Sequence, residues 1–344
     1  MSTSIKSLSI EEIEALVKDI GLPSFRSNQI LSWLYEKHVG SYEQMTNLPK
    51  AVRSQLEESY PLHAASLVDK QISKDGSTKY LLELHDGALV ETVGLPSNDN
   101  RLTVCVSSQS GCAMGCEFCA TGKSGLTRSL EPGEFIDQIA EVARDYQKRV
   151  TNVVVMGQGE PFANYKSTMK ALRIMNHPKL LNIGARHITV STCGLFDGIK
   201  RFSNEPEQFT LAISLHSARQ DIRDSIMPKL KSQPLTKLRE HLQSYSNVTG
   251  RRYSFEYALM KDINDSDQDL EALVDYCRSL LCHVNLIPLN KIDGSPFKPV
   301  LRQTLESWAR RLENAGIPAS VRTSRGSDIA AACGQLAYKR VRSD

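Results

Sequence analysis

From Leu102 to Leu289, short apolar runs with strand character alternate with amphipathic stretches of helical period. The runs are Leu102 to Val106, Asn152 to Met156, His187 to Val190, Phe209 to Ser214, Tyr253 to Leu259 and His283 to Leu289. Parallel strands joined by crossover helices must be covered on both faces or closed into a barrel. Six units fall short of a complete eightfold barrel, so the pattern predicts an α/β chain with a partial (βα)6 barrel over residues 98–344. Ala319-Ser320-Val321 is a candidate extra strand. Chemistry in such folds gathers at the carboxyl ends of the strands, which makes the residues after each run the ones to read for function.

Two other patterns precede the barrel. From Ser9 to about Leu62 apolar residues such as Ile10, Ile13, Leu16 and Val17 fall at helical spacing, which predicts a small helical domain over residues 1–62. Residues 63–97 switch to short strand-like runs broken by Asp75-Gly76 and Asp86-Gly87, the signals of a β-meander linking the two parts. With 42 basic and 39 acidic residues the chain has a formal charge of +3, which is not the strongly basic balance that announces nucleic acid by itself. Residues 1–62 carry six Lys/Arg against eight Asp/Glu and show no basic stripe; Lys339, Arg340 and Arg342 form a basic tail, expected to be a solvated terminus. No signal-peptide core and no run of 18 apolar residues is seen, so a cytoplasmic location without a membrane is expected.

Eight cysteines are too few for a disulfide scaffold, and their spacing decides their use. Cys112, Cys116 and Cys119 give C-x3-C-x2-C directly after the first barrel strand. A 4Fe-4S cube normally takes four cysteines, so a tight trio with no fourth ligand nearby leaves one iron open to bind a substrate. Zinc wants four ligands, commonly paired C-x2-C or histidines at metal spacing, and neither occurs.

This loop resembles that of the radical S-adenosylmethionine (SAM) superfamily. The resemblance implies a radical-SAM barrel with one three-cysteine cluster, whose open iron chelates the methionine amino and carboxylate groups of SAM and whose electron releases a 5′-deoxyadenosyl radical. Gly157-Gln158-Gly159-Glu160-Pro161, after the second strand, resembles the superfamily's GGE-like element, in which the Gly159 backbone and Glu160 hold the methionine amino group. Alone, such a loop would read as a tight strand-to-helix turn. Ser191, Ser214-Leu215-His216 and Asn290 lie at further carboxyl ends and are expected to line the same mouth as cofactor-binding residues, although each singly could be a satisfied polar terminus.

The runs Val104-Cys105-Val106-Ser107-Ser108-Gln109 and Ala332-Cys333-Gly334-Gln335-Leu336 narrow the resemblance to the RlmN/Cfr family of RNA adenosine methyltransferases. Phe25 to Ile30, Met45 to Pro49, Glu91-Thr92-Val93 and Asn285 to Asn290 also fit, so the match spans nearly the whole chain. Adenine C2 and C8 are too electron-poor to attack a sulfonium methyl, and the resemblance implies a detour around that barrier. Cys333 is methylated by one SAM, and a second SAM yields the radical that converts this methyl to a methylene radical, which adds to the ring. Glu91 accepts the ring proton, and Cys105 attacks the Cys333 sulfur to release RNA, leaving a disulfide. Cys193 is read as a wall residue without chemistry, and Cys277 and Cys282 as core.

The family's substrate is an adenosine in the peptidyl-transferase centre of 23S rRNA and, in some members, the tRNA adenosine 3′ of the anticodon. Pro161 favours the C2-methylating branch over C8 methylation of the Cfr, antibiotic-resistance type. Gln158 stands where methionine is expected and should change adenine or cofactor packing. A monomer served by an electron donor such as flavodoxin or ferredoxin is implied. Two rivals from other classes are a non-catalytic RNA-binding protein with a structural cluster, which would have no use for Glu91, Cys105 and Cys333, and a radical enzyme acting on a protein or small molecule.

Overall fold

The computed structural model describes residues 3–337, so Lys339, Arg340 and Arg342 lie outside the described residues. Three helices open the chain: α1 (Ile10–Asp19), α2 (Phe25–Leu31), which runs on into a π-helical turn over Ser32–Glu36, and α3 (Lys50–Ser59). Ser9 starts α1 because its hydroxyl accepts the Glu12 N–H while the Glu12 carboxylate accepts the Ser9 N–H, a reciprocal cap that satisfies two orphan donors. Ile10, Ile13 and Val17 then fall on one buried face.

The expected meander follows as β1 (Ala65–Ile72), β2 (Thr78–Leu84) and β3 (Leu89–Pro96), turning at Gly76 and Gly87 with φ of 82° and 79° that suit glycine. It does not stand apart as a linker. β3 pairs antiparallel with β4 (Leu102–Val106), placing Val93 opposite Cys105, so the meander extends the barrel's own sheet. Next come β5 (Gln109–Gly111), α4 (Ala120–Ser124), β6 (Leu126–Ser129), α5 (Pro132–Tyr146), β7 (Asn152–Val155), α6 (Tyr165–Asn176), β8 (Ile188–Thr192), α7 (Phe196–Phe202) and β9 (Thr210–Ser214). They are followed by α8 (Gln220–Ile226), α9 (Leu235–Thr249), β10 (Tyr253–Leu259), α10 (Asp267–Cys277), β11 (Cys282–Pro288), α11 (Arg302–Asn314) and β12 (Ala319–Val321).

The main sheet runs β1-β2-β3-β4-β7-β8-β9-β10-β11-β12, parallel from β4 onward, so the six expected strands stand in chain order and the candidate at 319–321 closes the series. Period-two alternation sorts the side chains. On β4, Leu102, Val104 and Val106 are fully buried, while Cys105 faces the barrel interior and is half-buried. The same split puts Ser191 of β8 and Ser214 of β9 inside. Among the described residues no helix is long and apolar enough to cross a membrane.

The N-terminal helices share one continuous apolar core with the barrel. A buried polar latch fixes the contact: Lys6 Nζ donates to Asp137 Oδ1 at 2.6 Å, and Asp137 Oδ2 accepts the N–H groups of Ala64 (2.6 Å) and Ala65 (3.1 Å). Burial works against this carboxylate, but Lys6 and His63 outweigh it and hold its pKa at about 2. Its contribution is therefore present above the unfolded value near 3.8 and fades as pH falls toward 2. Asp137→Asn, which strands a buried ammonium, should lower unfolding free energy by roughly 3 kcal/mol in urea titrations at neutral pH, with the deficit shrinking in acid.

Candidate active site

The cysteine loop is held by a clasp that the periodicity did not reveal. β5 and β6 pair antiparallel, and the Cys112 N–H donates to Gly125 O at 2.7 Å. Gly111 at the joint has φ of 76°, and a Cβ there would sit 2.0 Å from Gly125 O, so only glycine closes it. Inside the loop the Cys119 N–H donates to Cys116 O (3.1 Å), and the Glu117 N–H reaches Ile226 O on α8 (2.9 Å). The three cysteines line one cavity of about 270 Å³ at the carboxyl ends of the strands.

As bare thiols Cys112 and Cys116 sit uneasily. Burial pushes Cys112 up to about 11, opposed by the Met114 N–H, and pushes Cys116 up further, with the neighbouring sulfurs adding to the rise. Irons would reverse that balance by stabilising thiolates, so three sulfurs from one loop fit a cluster with an open position.

The glycine loop after β7 lies against the loop after β4. A Cβ on Gly157 would meet Ser107 Oγ at 2.6 Å, and one on Gly159, at φ of 96°, would meet Gln109 Cβ at 2.5 Å. This approach turns Glu160 into the cavity, where Oε1 accepts the Phe162 N–H (2.9 Å) and Oε2 the Cys193 N–H (2.8 Å). Burial raises the Glu160 pKa while those N–H groups oppose the rise, so the carboxylate is short of a cation. An ammonium group placed there would supply it. Gly159→Ala should weaken SAM binding at least about tenfold in calorimetry, since backbone strain of about 2 kcal/mol must be relieved by moving Glu160.

Gln158 corrects an expectation. It does not line the cavity; its N–H donates to Ser107 Oγ (2.8 Å) and its Oε1 accepts the Glu91 N–H (3.3 Å). An amide here braces the meander rather than touching a ligand.

Ser191 and Ser214 stand side by side on the adjacent strands β8 and β9, 3.4 Å between hydroxyls, and both line the cavity with His216 and Asn290. His216 Nδ1 accepts the Ala258 N–H (3.0 Å), which leaves Nε2 as the donor. Burial, with Arg223 adding to it, holds the ring near pKa 3 and therefore neutral. Its left-handed backbone, φ 56°, is fixed by Asn264 Nδ2 donating to His216 O (2.6 Å). Leu215 is not brought to the cavity: it is fully buried in the core behind the strand end.

The C-terminal segment crosses the mouth. Gly334 O accepts the Ala120 N–H (2.7 Å), Asn290 Nδ2 donates to Cys333 O (3.1 Å), and Gln335 Nε2 donates to Lys291 O (2.8 Å). Cys333 is thus pinned at the mouth, open to solvent but ringed by protein atoms. Cys105 lies below it, packed with Val93, Ala331 and Leu336. Glu91 shares the face of β3 with Val93 and Leu95 but is buried beside the cavity rather than lining it. Lys79 Nζ lies 3.1 Å from its Oε1, Oε2 meets no close donor among the described residues, and burial raises its pKa against the pull of Lys79 and of the Ala337 N–H.

Among the wall residues that escaped sequence reading are Met156, Glu256 and Arg322. The signal for Glu256 was a carboxylate inside the apolar run Tyr253 to Leu259, and for Arg322 a guanidinium directly after a strand. Cys193 is a wall residue as expected and contributes its N–H.

Comparison with known proteins places this arrangement. A profile of the Radical SAM superfamily matches residues 106–276, and one described as the ribosomal RNA large subunit methyltransferase N-terminal domain matches residues 3–61. A relative from Geobacillus kaustophilus named "Probable dual-specificity RNA methyltransferase RlmN" is 45% identical over 339 residues, covering 98% of this chain and 93% of its own. One of the same name from Synechococcus sp. is 43% identical, covering 98% and 97%. The chain belongs to the RlmN family. The crystal structure of a radical SAM methyltransferase from Sphaerobacter thermophilus superposes with a TM-score of 0.94 at 43% identity, covering 97% of this chain and 98% of that one. Membership of the radical SAM superfamily carries a 4Fe-4S cluster held by three cysteines and SAM as its partner.

Proposed function

We propose that this RlmN-family protein methylates C2 of an adenosine in the peptidyl-transferase centre of 23S rRNA, and the tRNA adenosine 3′ of the anticodon, through a methylated Cys333. The observation that carries this reading is the convergence of Cys105 and Cys333 on the cavity that also holds Cys112, Cys116 and Cys119. A structural cluster alone would need no second pair of thiols above it. The printed names of the relatives, which specify RNA methylation with dual specificity, support the substrate class.

Cys112, Cys116 and Cys119 would hold the cluster, and Gly159, Glu160, Ser191, Ser214, His216 and Asn290 would seat SAM. The bound pair supplies a hydrogen-abstracting deoxyadenosyl radical. Glu160 orients the methionine ammonium with the carboxylate that lacks a cation, and neutral His216 offers Nε2–H as a donor without adding charge. Cys333, fixed at the mouth, presents its S-methyl group between that radical and the RNA base. Glu91, beside the cavity on the Val93 face of β3, accepts the ring proton, a task suited to a carboxyl whose pKa burial has raised, and the unpaired electron that radical addition leaves on the ring would return to the cluster. Cys105 then attacks the Cys333 sulfur. The S–S bond forms as the S–CH2 bond breaks, and the electron pair left on carbon takes a proton to complete the methyl group. Oxidation of the Cys105 thiolate and the Cys333 thioether sulfur to a disulfide balances the two-electron reduction of the carbon. In this reading the enzyme works in the cytoplasm as a monomer with a low-potential donor such as flavodoxin or ferredoxin.

Mass mapping of 23S rRNA and tRNA from cells lacking the gene tests the assignment. Loss of 2-methyladenosine at both sites is expected; loss of an 8-methyl group, or no loss in RNA, would overturn it.

A further inference from the structure

The barrel interior below the two thiols carries a chain of polar contacts that the steps above do not use. Arg322, directly after β12, donates from Nη1 to Glu256 Oε2 at 3.2 Å and lies 3.8 Å from Met156 Sδ. The other oxygen of Glu256 is fully engaged, accepting from Asn285 Nδ2 (2.8 Å) and Ser254 Oγ (3.0 Å). Asn285 is braced in turn: its Oδ1 accepts from Ser320 Oγ (2.7 Å), and Ser320 stands 2.8 Å from His283 Nε2. Because the Ser320 proton goes to Asn285, His283 Nε2–H is the donor to Ser320. Glu256 therefore has one fixed orientation and one oxygen left for Arg322.

That anchoring settles where the guanidinium lies. Arg322, Met156, Cys105 and Cys333 line the same cavity, and Met156 touches both ends of the arrangement, with its backbone N–H toward the Cys105 sulfur and its thioether against Arg322. Burial and the nearby Cys333 push the Cys105 thiol up to about 12, and Arg322 is the side-chain charge that opposes them. The groups facing Cys105 are Cys333 from the C-terminal segment, Arg322 after β12 with Glu256 of β10 behind it, Met156 after β7 and apolar Val93 opposite it on β3. Nucleophilic attack on sulfur requires the thiolate, and in a half-buried apolar setting a neighbouring cation is the standard means of obtaining it.

We propose that Arg322, held in place by Glu256, is the positioning residue that raises the share of Cys105 sulfur present as the attacking thiolate in the resolution step. This deepens the proposed function and rests on it for the identity of that step: the Cys105 thiolate forms the S–S bond, the S–CH2 bond to RNA breaks, and carbon takes the electron pair and a proton.

The test uses cluster-loaded protein, without RNA or SAM, treated with iodoacetamide across about pH 7.5 to 9, with Cys105 carboxamidomethylation followed by peptide mass spectrometry. Arg322→Met is expected to slow alkylation about tenfold at each pH, its profile displaced by about one unit to higher pH, and Arg322→Lys is expected to recover most of the rate. Iron content and circular dichroism identify a variant that has misfolded, in which case Arg322→Lys against wild type supplies the comparison through its smaller displacement. In single turnover with RNA, the Arg322→Met protein–RNA adduct should decay about tenfold more slowly than that of wild type, the deficit closing as pH rises. Equal alkylation rates in wild type and Arg322→Met, or a deficit that Lys does not repair and pH does not move, would overturn the proposal. A wild-type enzyme that never forms an RNA adduct would instead defeat the proposed function and leave the alkylation comparison readable.

Discussion

Cys116→Ala protein, reconstituted anaerobically, is expected to retain well under the roughly four irons of a complete cube and to release no 5′-deoxyadenosine from SAM. A site with three ligands has none to spare, and Cys116 is the central one. Its carbonyl accepts the Cys119 N–H, and a Cβ on Gly122 would meet its backbone N and O at 2.8 Å, so the loop is folded tightly around this residue. The clasp of β5 and β6 does not depend on the thiol, and circular dichroism should therefore show an intact fold. Iron analysis, visible absorption and chromatography of the nucleoside products make the measurement. Full iron content with normal cleavage in the variant would remove Cys116 from the ligand set, and stoichiometric zinc in the wild type would remove the cluster itself.

The parts of this molecule legible in sequence are those encoded by local spacing. Short apolar runs alternating with amphipathic stretches located β4 and β7 to β11 and suggested β12, because parallel strands joined by helices must be covered on both faces or closed into a barrel. The trio Cys112, Cys116 and Cys119 and the Gly157–Gly159 turn are each short enough to read as a unit. What could not be read depends on pairs brought together by topology. Arg322 and Glu256 are 66 residues apart and meet only because β10 and β12 both flank β11. Lys6 and Asp137 are 131 residues apart, and nothing local marks either as buried. The β5 and β6 clasp is too short, at three and four residues, to show a period, and Leu126 within it is exposed. Direction was the other blind spot: motif membership suggested that Gln158 and Leu215 face the ligand, whereas the close approach at Gly157 turns Gln158 toward the meander and Leu215 falls on the core side of its strand end.

Cys105→Ala protein is expected to accumulate a covalent complex with RNA and to lose multiple turnover by roughly a thousandfold, as removal of a nucleophile does. Addition of the Cys333-bound methylene to adenine would leave a thioether whose carbon is bonded to both sulfur and the base. Breaking that S–C bond without a second thiol would require expelling an unassisted sulfur species, whereas Cys105 supplies both the attacking pair and the final resting place for sulfur as a disulfide. Its position is suited to this one act. β4 holds it opposite Val93, the Thr92 hydroxyl donates to its carbonyl at 2.8 Å, and Ala331 and Leu336 close over it from the segment that carries Cys333. Alanine preserves that packing, so formation of the adduct should survive while its resolution fails. Nuclease-sensitive mobility shifts on denaturing gels, with mass spectrometry of the Cys333 peptide, would reveal the adduct. Normal turnover by Cys105→Ala would show that another group releases the RNA. An adduct on any residue other than Cys333 would move the methyl carrier elsewhere in the cavity, while retaining the inference that this pocket, two thiols above a cluster, forms carbon bonds to a base through the protein rather than directly from the cofactor.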